Sequence, residues 1–302
     1  MYQLEKQQHL IDLIEQHICQ DGAVETAIPG LSLYRESAPL NLACNIYEPS
    51  VCFIARGQKV IFLEEEEYHY NAHSYLVTSV HLPLNSRIVE ASEEEPYLAL
   101  KLRFSSDEII DVATQMEKQM QAPCCQISCD RGLLIGETDE GILDSLIRLV
   151  ALLNTPKEIP FFAPLVSKEI LFRLIGKHPQ RFVKQFAALG SYSHRMVCCI
   201  KEINARFNEP LRIDELAQKA GMSNSLFHRN FKKMTAMSPI QYQKKVRLQE
   251  ARKLLLSKQT NASEVAFVVG YESPSQFSRE YARMFGLPPI SDVRHNKNFA
   301  RH

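Results

Sequence analysis

The chain reads as an α+β protein of two unlike parts: a strand-rich first portion forming a small barrel or sandwich, and an all-helical last third. Three observations predict this. The hydrophobic period is helical, then two-residue, then helical again. The net charge of zero hides an acidic first part and a basic last third. The last third also contains an internal duplication. At 302 residues, the chain has room for roughly two domains of about 150 residues each. Its 45% hydrophobic and 23% charged composition excludes wholesale disorder. No apolar run approaches the ~20 residues of a bilayer span. The segment Met1–Gln16 carries charged and amide residues where an export signal needs an apolar stretch. A cytoplasmic protein with no membrane partner is the expectation.

Residues 4–20 read as a helix with Leu4, Ile11, Ile14 and Ile18 on one face, ended by Asp21-Gly22. Between 31 and 104 the period drops to two. Leu98, Leu100, Leu102 and Phe104 share one side of a strand. Val51–Ala55, Val60–Leu63, Tyr75–Val80 and Arg87–Ala91 are further short apolar segments, a spacing that suits a barrel or sandwich. The acidic runs Glu64–Glu67 and Glu93–Glu95 read as solvated turns. Helical spacing returns at Asp107–Gln121, Asp139–Leu153 and Pro164–Gly176. The second of these is apolar nearly all round, so it must be buried on several sides, by its own domain or by a second copy of the chain. The expected division is 1–122, a strand-rich domain; 123–193, a helical region and linker; and 194–302, the basic domain.

Residues 1–193 hold 16 Lys and Arg against 26 Asp and Glu, a net −10, and residues 194–302 hold 19 against 9, a net +10. A basic module joined to an acidic one is expected where only one of them meets a polyanion. Within the basic part, Leu216, Ala217 and Gly221 match Val265, Ala266 and Gly270 at an offset of 49. After one extra residue, Phe227, Arg229, Phe231, Lys233 and Pro239 match Phe277, Arg279, Tyr281, Arg283 and Pro289. Each copy has the logic of a helix-turn-helix. An apolar residue and an alanine permit close helix approach, and the glycine ends the first helix. Ser223 or Ser273 caps the second, with Gln276 at the capping-box position. Phe227 with Phe231, and Phe277 with Tyr281, form i,i+4 core pairs. Arg229 and Arg279 then lie roughly 200° round the helix at ~100° per residue and point outward. Ser225, His228, Ser275, Gln276 and Ser278 join them as candidate DNA-contacting residues. Lys232, Lys233 and Arg283, toward the helix C-termini, are placed for phosphates. Pro239–Leu256 reads as the helix joining the copies, with Val246, Ala251, Leu254 and Leu255 buried.

On these residues the last third resembles the double helix-turn-helix domain of the AraC/XylS family of bacterial transcription regulators. The similarity covers about residues 194–290. It includes Arg247, Leu248, Ala251, Leu254 and Leu255 of the joining helix and the second-copy run from Val265 to Arg279. Ala236 stands where the family usually has glycine, and Ser225 where a larger base-contacting residue is common. Pro49–Val60, Tyr75–Ser79, Leu82-Pro83 and Pro96–Leu100 are similar to one regulatory-domain branch of the same family. The resemblance implies a cupin-like β-barrel with flanking helices that sense a small-molecule effector. It also implies helices that form a homodimer, operator DNA as partner, and RNA polymerase as the machinery such a regulator meets.

Enzymatic readings make other demands on the residues. A cupin-type metal-dependent enzyme fused to a DNA-binding module would need histidines converging in the barrel. His69, His73 and His81 lack the HxH spacing of metal-binding cupins, so no metal or other cofactor is expected. A DNA-repair protein with the same double motif would need a catalytic cysteine domain, and no segment resembles one. No Walker loop, GxSxG or HExxH is present, and the chain is not expected to be an enzyme. Eight cysteines without a CxxC…CxxC pattern fit free thiols in a reducing compartment. Cys124, Cys125 and Cys129 form a candidate redox group, against the plainer reading of buried, inert thiols.

Overall fold

The computed structural model describes residues 2–40, 43–117, 131–177, 192–257 and 261–299. The first helix, α1 (Tyr2–Glu15), leads into nine strands: β1 (Gly22–Glu25), β2 (Leu31–Glu36), β3 (Ala43–Tyr47), β4 (Ser50–Arg56), β5 (Gln58–Leu63), β6 (Glu66–Asn71), β7 (Ser74–Thr78), β8 (Leu82–Glu90) and β9 (Tyr97–Leu102). Helix α2 (Ser106–Glu117), a tenth strand β10 (Leu133–Glu137), α3 (Glu140–Ala151) and α4 (Ile159–Lys177) complete the first domain. The strands form a six-stranded sheet, β1-β2-β9-β4-β7-β10, and a four-stranded sheet, β3-β8-β5-β6, both antiparallel. Among the described residues no ladder joins the two, so the expected barrel is an open sandwich. One of its strands, β10, comes from beyond the expected boundary at 122.

Period-two alternation explains the layering. On the outer face of the larger sheet, Leu31, Leu33, Val51, Phe53, Ala55, Leu98, Leu100 and Leu102 are buried in a core shared with α1, α3 and α4. The expected face of Leu98, Leu100 and Leu102 is therefore the helix-covered one. Helix α3, capped by Asp139 accepting from the Ile142 amide, is apolar on so many sides because α1, α4 and the sheet all cover it. Its Ile142, Leu143, Leu146, Leu149 and Val150 are each at most 2% exposed. Exposed apolar side chains stand instead on α4, at Phe161, Phe162, Leu165 and Phe172. In α1, Ile11 and Ile14 are buried as expected, but Leu4 is exposed and Leu10 and Leu13 complete the face.

The second domain is all helix: α5 (Tyr192–Ala205), α6 (Ile213–Lys219), α7 (Asn224–Thr235), α8 (Pro239–Ser257), α9 (Ala262–Val268), α10 (Pro274–Phe285) and α11 (Pro289–Phe299). At 1.5 Å per residue the 19-residue α8 spans about 28 Å. It serves two cores. Tyr242 and Val246 pack with Phe227, Phe231 and Met234 of the first copy, and Leu248, Ala251 and Leu255 pack with Phe277 and Tyr281 of the second. The expected Leu254 is only partly buried beside them.

Candidate nucleic-acid interface

Each helix-turn-helix is built as its sequence dictates. In the first, Leu216 and Ala217 are buried and Gly221 takes φ +63°. The Met222 amide then turns back to the Ala217 carbonyl at 2.9 Å. In the second, the Tyr271 amide reaches the Ala266 carbonyl at 2.9 Å past Gly270, at φ +87°. A Cβ on Gly270 would lie 2.2 Å from the Asn208 carbonyl oxygen, so only glycine fits there. Ser223 and Ser273 cap α7 and α10, accepting from Leu226 and Gln276 amides at 3.3 Å. The ring pairs Phe227–Phe231 and Phe277–Tyr281 have centroids 5.8 and 5.5 Å apart.

These constraints leave α7 and α10 with one buried and one solvent face. Ser225, His228, Arg229, Lys232 and Lys233 are exposed on α7. On α10, Ser275, Gln276, Arg279 and Arg283 are exposed and Ser278 is half-buried. Arg229, Arg279 and Arg283 form no ion pair with the described residues, so their planar forks are available to an outside acceptor. Gln276 is used differently from the expected capping box. Its side-chain amide donates to Glu280 at 3.1 Å, one turn along the helix. Glu280 also accepts from Lys244 at 2.9 Å and the Tyr271 hydroxyl at 2.8 Å. Partial burial works against its carboxylate charge, but these hydrogen bonds outweigh it and hold its pKa below the ordinary value. The i,i+4 spacing of Gln276 and Glu280 was the available signal for this anchor.

Several residues outside the expected set govern how the interface is held. The first domain grips the C-terminal end of α7: Arg131 donates to the Lys232 and Lys233 carbonyls at 3.2 and 2.7 Å and pairs with Glu66. The Gly132 amide donates to the Met234 carbonyl at 2.8 Å. On α8, the Tyr242 hydroxyl donates to the His81 carbonyl at 2.7 Å and Lys245 pairs with Glu64 at 2.5 Å. The run Glu64–Glu67, expected to be a solvated turn, thus supplies two carboxylates to the contact between domains.

The remaining candidates do not gather into a site. His69 is exposed on β6, His73 lies in the following turn, and half-buried His81 sits between β7 and β8, with its imidazole pKa lowered by burial. Among the described residues no three His, Cys, Asp or Glu side chains group as metal ligands. Cys124, Cys125 and Cys129 lie outside the described residues. Among the described residues no helix is long and apolar enough to cross a membrane. Between the two sheets opens a cleft of about 420 Å³, with Cys52, Lys59, Tyr97 and Lys101 among its walls.

A duplicated helix-turn-helix joined to a helix-backed β-sandwich defines a two-domain protein of the bacterial regulator type. Residues 27–181 match the AraC-type transcriptional regulator N-terminus and residues 216–295 a helix-turn-helix domain family. The chain belongs to the AraC-type transcriptional regulators. It is 36% identical over 101 residues to the HTH-type transcriptional regulator GbdR of Pseudomonas aeruginosa, covering 33% of this chain and 28% of that one. It is 23% identical over 168 residues to the lactose operon transcription activator of Staphylococcus xylosus, covering 55% and 60%. The matched segments thus span less than two thirds of the length of each of these curated relatives. A solved structure of ToxT from Vibrio cholerae superposes with a TM-score of 0.57 at 12% identity, over 87% of this chain and 97% of that one. At that identity the likeness is one of fold, and it extends over both domains.

Proposed function

We propose that the chain is a sequence-specific DNA-binding transcriptional regulator whose first domain responds to a small-molecule effector. The observation that carries this reading is the pair of capped recognition helices, each presenting an exposed arginine, with no ion pair among the described residues, at the equivalent outward position. At roughly 28 Å, the joining helix is comparable with the ~34 Å between successive major-groove faces. Arg229 and Arg279 are the base readers, each gripping guanine O6 and N7. Lys232, Lys233 and Arg283 contact phosphates, and Ser225, His228, Ser275, Gln276 and Ser278 line the same surface. The effector site is the cleft between the sheets. Its inner wall belongs to the same apolar core as Phe227, Phe231 and Met234, which supports a mechanical route from effector to first copy. The protein acts in the cytoplasm, not as an enzyme, and meets RNA polymerase at promoters.

We infer a homodimer as well, through a different surface from the apolar α3. The exposed Phe161, Leu165 and Phe172 follow one stripe of α4 at spacings of four and seven, flanked by Phe162. Such a stripe on a soluble chain is the expected seat of a second copy.

The test is fluorescence anisotropy of the full chain on a site obtained by in vitro selection, over a salt series. Binding that weakens steeply with salt, with a sequence preference surviving at fixed salt, is expected. No affinity for DNA at low salt would overturn the reading.

A further inference from the structure

We propose that the cleft between the two sheets is built to hold a small organic carboxylate with an apolar or aromatic body, its charged group met by Lys59 and Lys101. The proposal deepens the reading of the first domain as effector-binding and rests on it.

Both lysines sit where strand alternation calls for core residues. Lys59 shares its face of β5 with Ile61 and Leu63, each 0% exposed, and Lys101 shares its face of β9 with Tyr97 and Ala99, which are at most 2% exposed. An inward lysine is costly unless something compensates its charge. The compensation here is aromatic. The Lys59 ammonium lies 5.6 Å from the Tyr47 ring centroid and 5.9 Å from that of Tyr97, and Lys101 lies 5.5 Å from the Tyr34 ring. No carboxylate among the described residues lies within ion-pair distance of either lysine. The two acids on the cleft wall, Glu25 and Glu48, are both engaged by Arg103, at 3.6 and 3.5 Å.

The local field therefore opposes that of the surrounding domain, which is net acidic. A positive, aromatic-walled cleft inside an acidic domain attracts an anion and repels a cation. Burial works against the charge on Lys59, but Tyr47, Tyr97 and Cys52 outweigh it and hold its pKa above the ordinary lysine value. An ammonium seated against these rings suits an ion pair with an anion. The tyrosine rings and Leu76 supply surface for the apolar body, and a cleft of about 420 Å³ falls within the ordinary range for small-ligand sites.

The test is thermal shift and calorimetry on the full-length protein with four probes: phenylacetate, octanoate, neutral phenylacetamide and cationic phenethylammonium. The two carboxylates should raise the melting temperature, the amide should bind roughly tenfold or more weakly, and the cation should give no shift. Lys59→Met and Lys101→Met should each weaken carboxylate binding by a similar factor. Equal shifts from amide and acid, no shift from either acid, or unchanged carboxylate affinity in both variants would overturn the proposal. The wild-type comparison of acid with amide stands even where a variant does not fold. DNA anisotropy on the same wild-type samples reports separately on the regulator reading, which stands if DNA binds while carboxylates do not.

Discussion

The two helix-turn-helix copies share a sequence pattern and a cap geometry, yet they are supported in opposite ways. The second is self-contained. Its core of Val265, Ala266, Phe277 and Tyr281 closes on α8, and its far side is pinned by Asp292, which accepts from Arg252 at 2.8 and 2.9 Å and from the Tyr281 hydroxyl at 2.8 Å. The first has no such buried charge. Its Phe227, Phe231 and Met234 belong to a core that runs on into Ile61, Leu82 and Leu84 of the sandwich, and its last turn is held by Arg131 and Gly132. Duplication supplied two copies of the motif, and among the described residues only the first is wired to the first domain. An effector that reshapes the sandwich would therefore act on the first copy while the second keeps its hold on DNA.

The largest effect is expected from breaking what the second copy alone possesses. Asp292→Ala leaves Arg252 without its carboxylate and Tyr281 without its acceptor. It should cost about 3 kcal/mol of stability, read by denaturant unfolding. Hydrogen exchange should rise in α9 to α11 and change little in α7. A uniform rise in both copies would mean that the two cores are not separate.

A smaller effect should come from the wiring. Arg131→Ala removes two carbonyl contacts and the Glu66 pair, and should cost about 1 kcal/mol. Exchange should rise at the C-terminal turn of α7 and not at that of α10. If α10 loosens equally, Arg131 supports the whole domain instead of its first copy.

The smallest effect sharpens the comparison at a single matched position. Both recognition helices end in a left-handed residue, Ala236 at φ +63° and Gly286 at φ +79°. An alanine there costs about 1 kcal/mol relative to glycine. Ala236→Gly should therefore stabilise by up to that amount, and Gly286→Ala should destabilise by a similar amount, both measured by chemical denaturation. Stabilisation by both changes would show that the cap conformation is not what matters.

Most of the second domain was legible because its rules are local. Caps, glycine stops and i,i+4 aromatic pairs act within one or two turns, so Ser223, Gly270 and the outward Arg229 could be placed from the residues alone. The sandwich was legible as alternation, and Leu98, Leu100 and Leu102 do share a buried face. The sheet pairing was not, because β10 joins β7 from 55 positions further along the chain, and nothing local announces a partner at that distance. The same reason hid the roles of Glu64 and Arg131, whose partners lie in the second domain, and of Glu66, whose partner Arg131 lies 65 positions away. Lys101 carried a readable signal, a charge alternating with three buried leucines. What no local pattern announces is the second sheet, whose Ile61, Leu63 and Tyr70 share a core with Tyr97 and Ala99 and make the opposite face an interior one.

The central claim is that both outward arginines read bases, and Arg279 tests it most directly. Arg279→Ala in the full chain should be measured on the selected site and on random DNA, at one fixed salt concentration. Losing a bidentate base contact should weaken binding to the selected site by about 1–3 kcal/mol and relax preference at one base position, while affinity for random DNA changes far less. Equal losses on both DNAs would make Arg279 a phosphate contact and contradict the account.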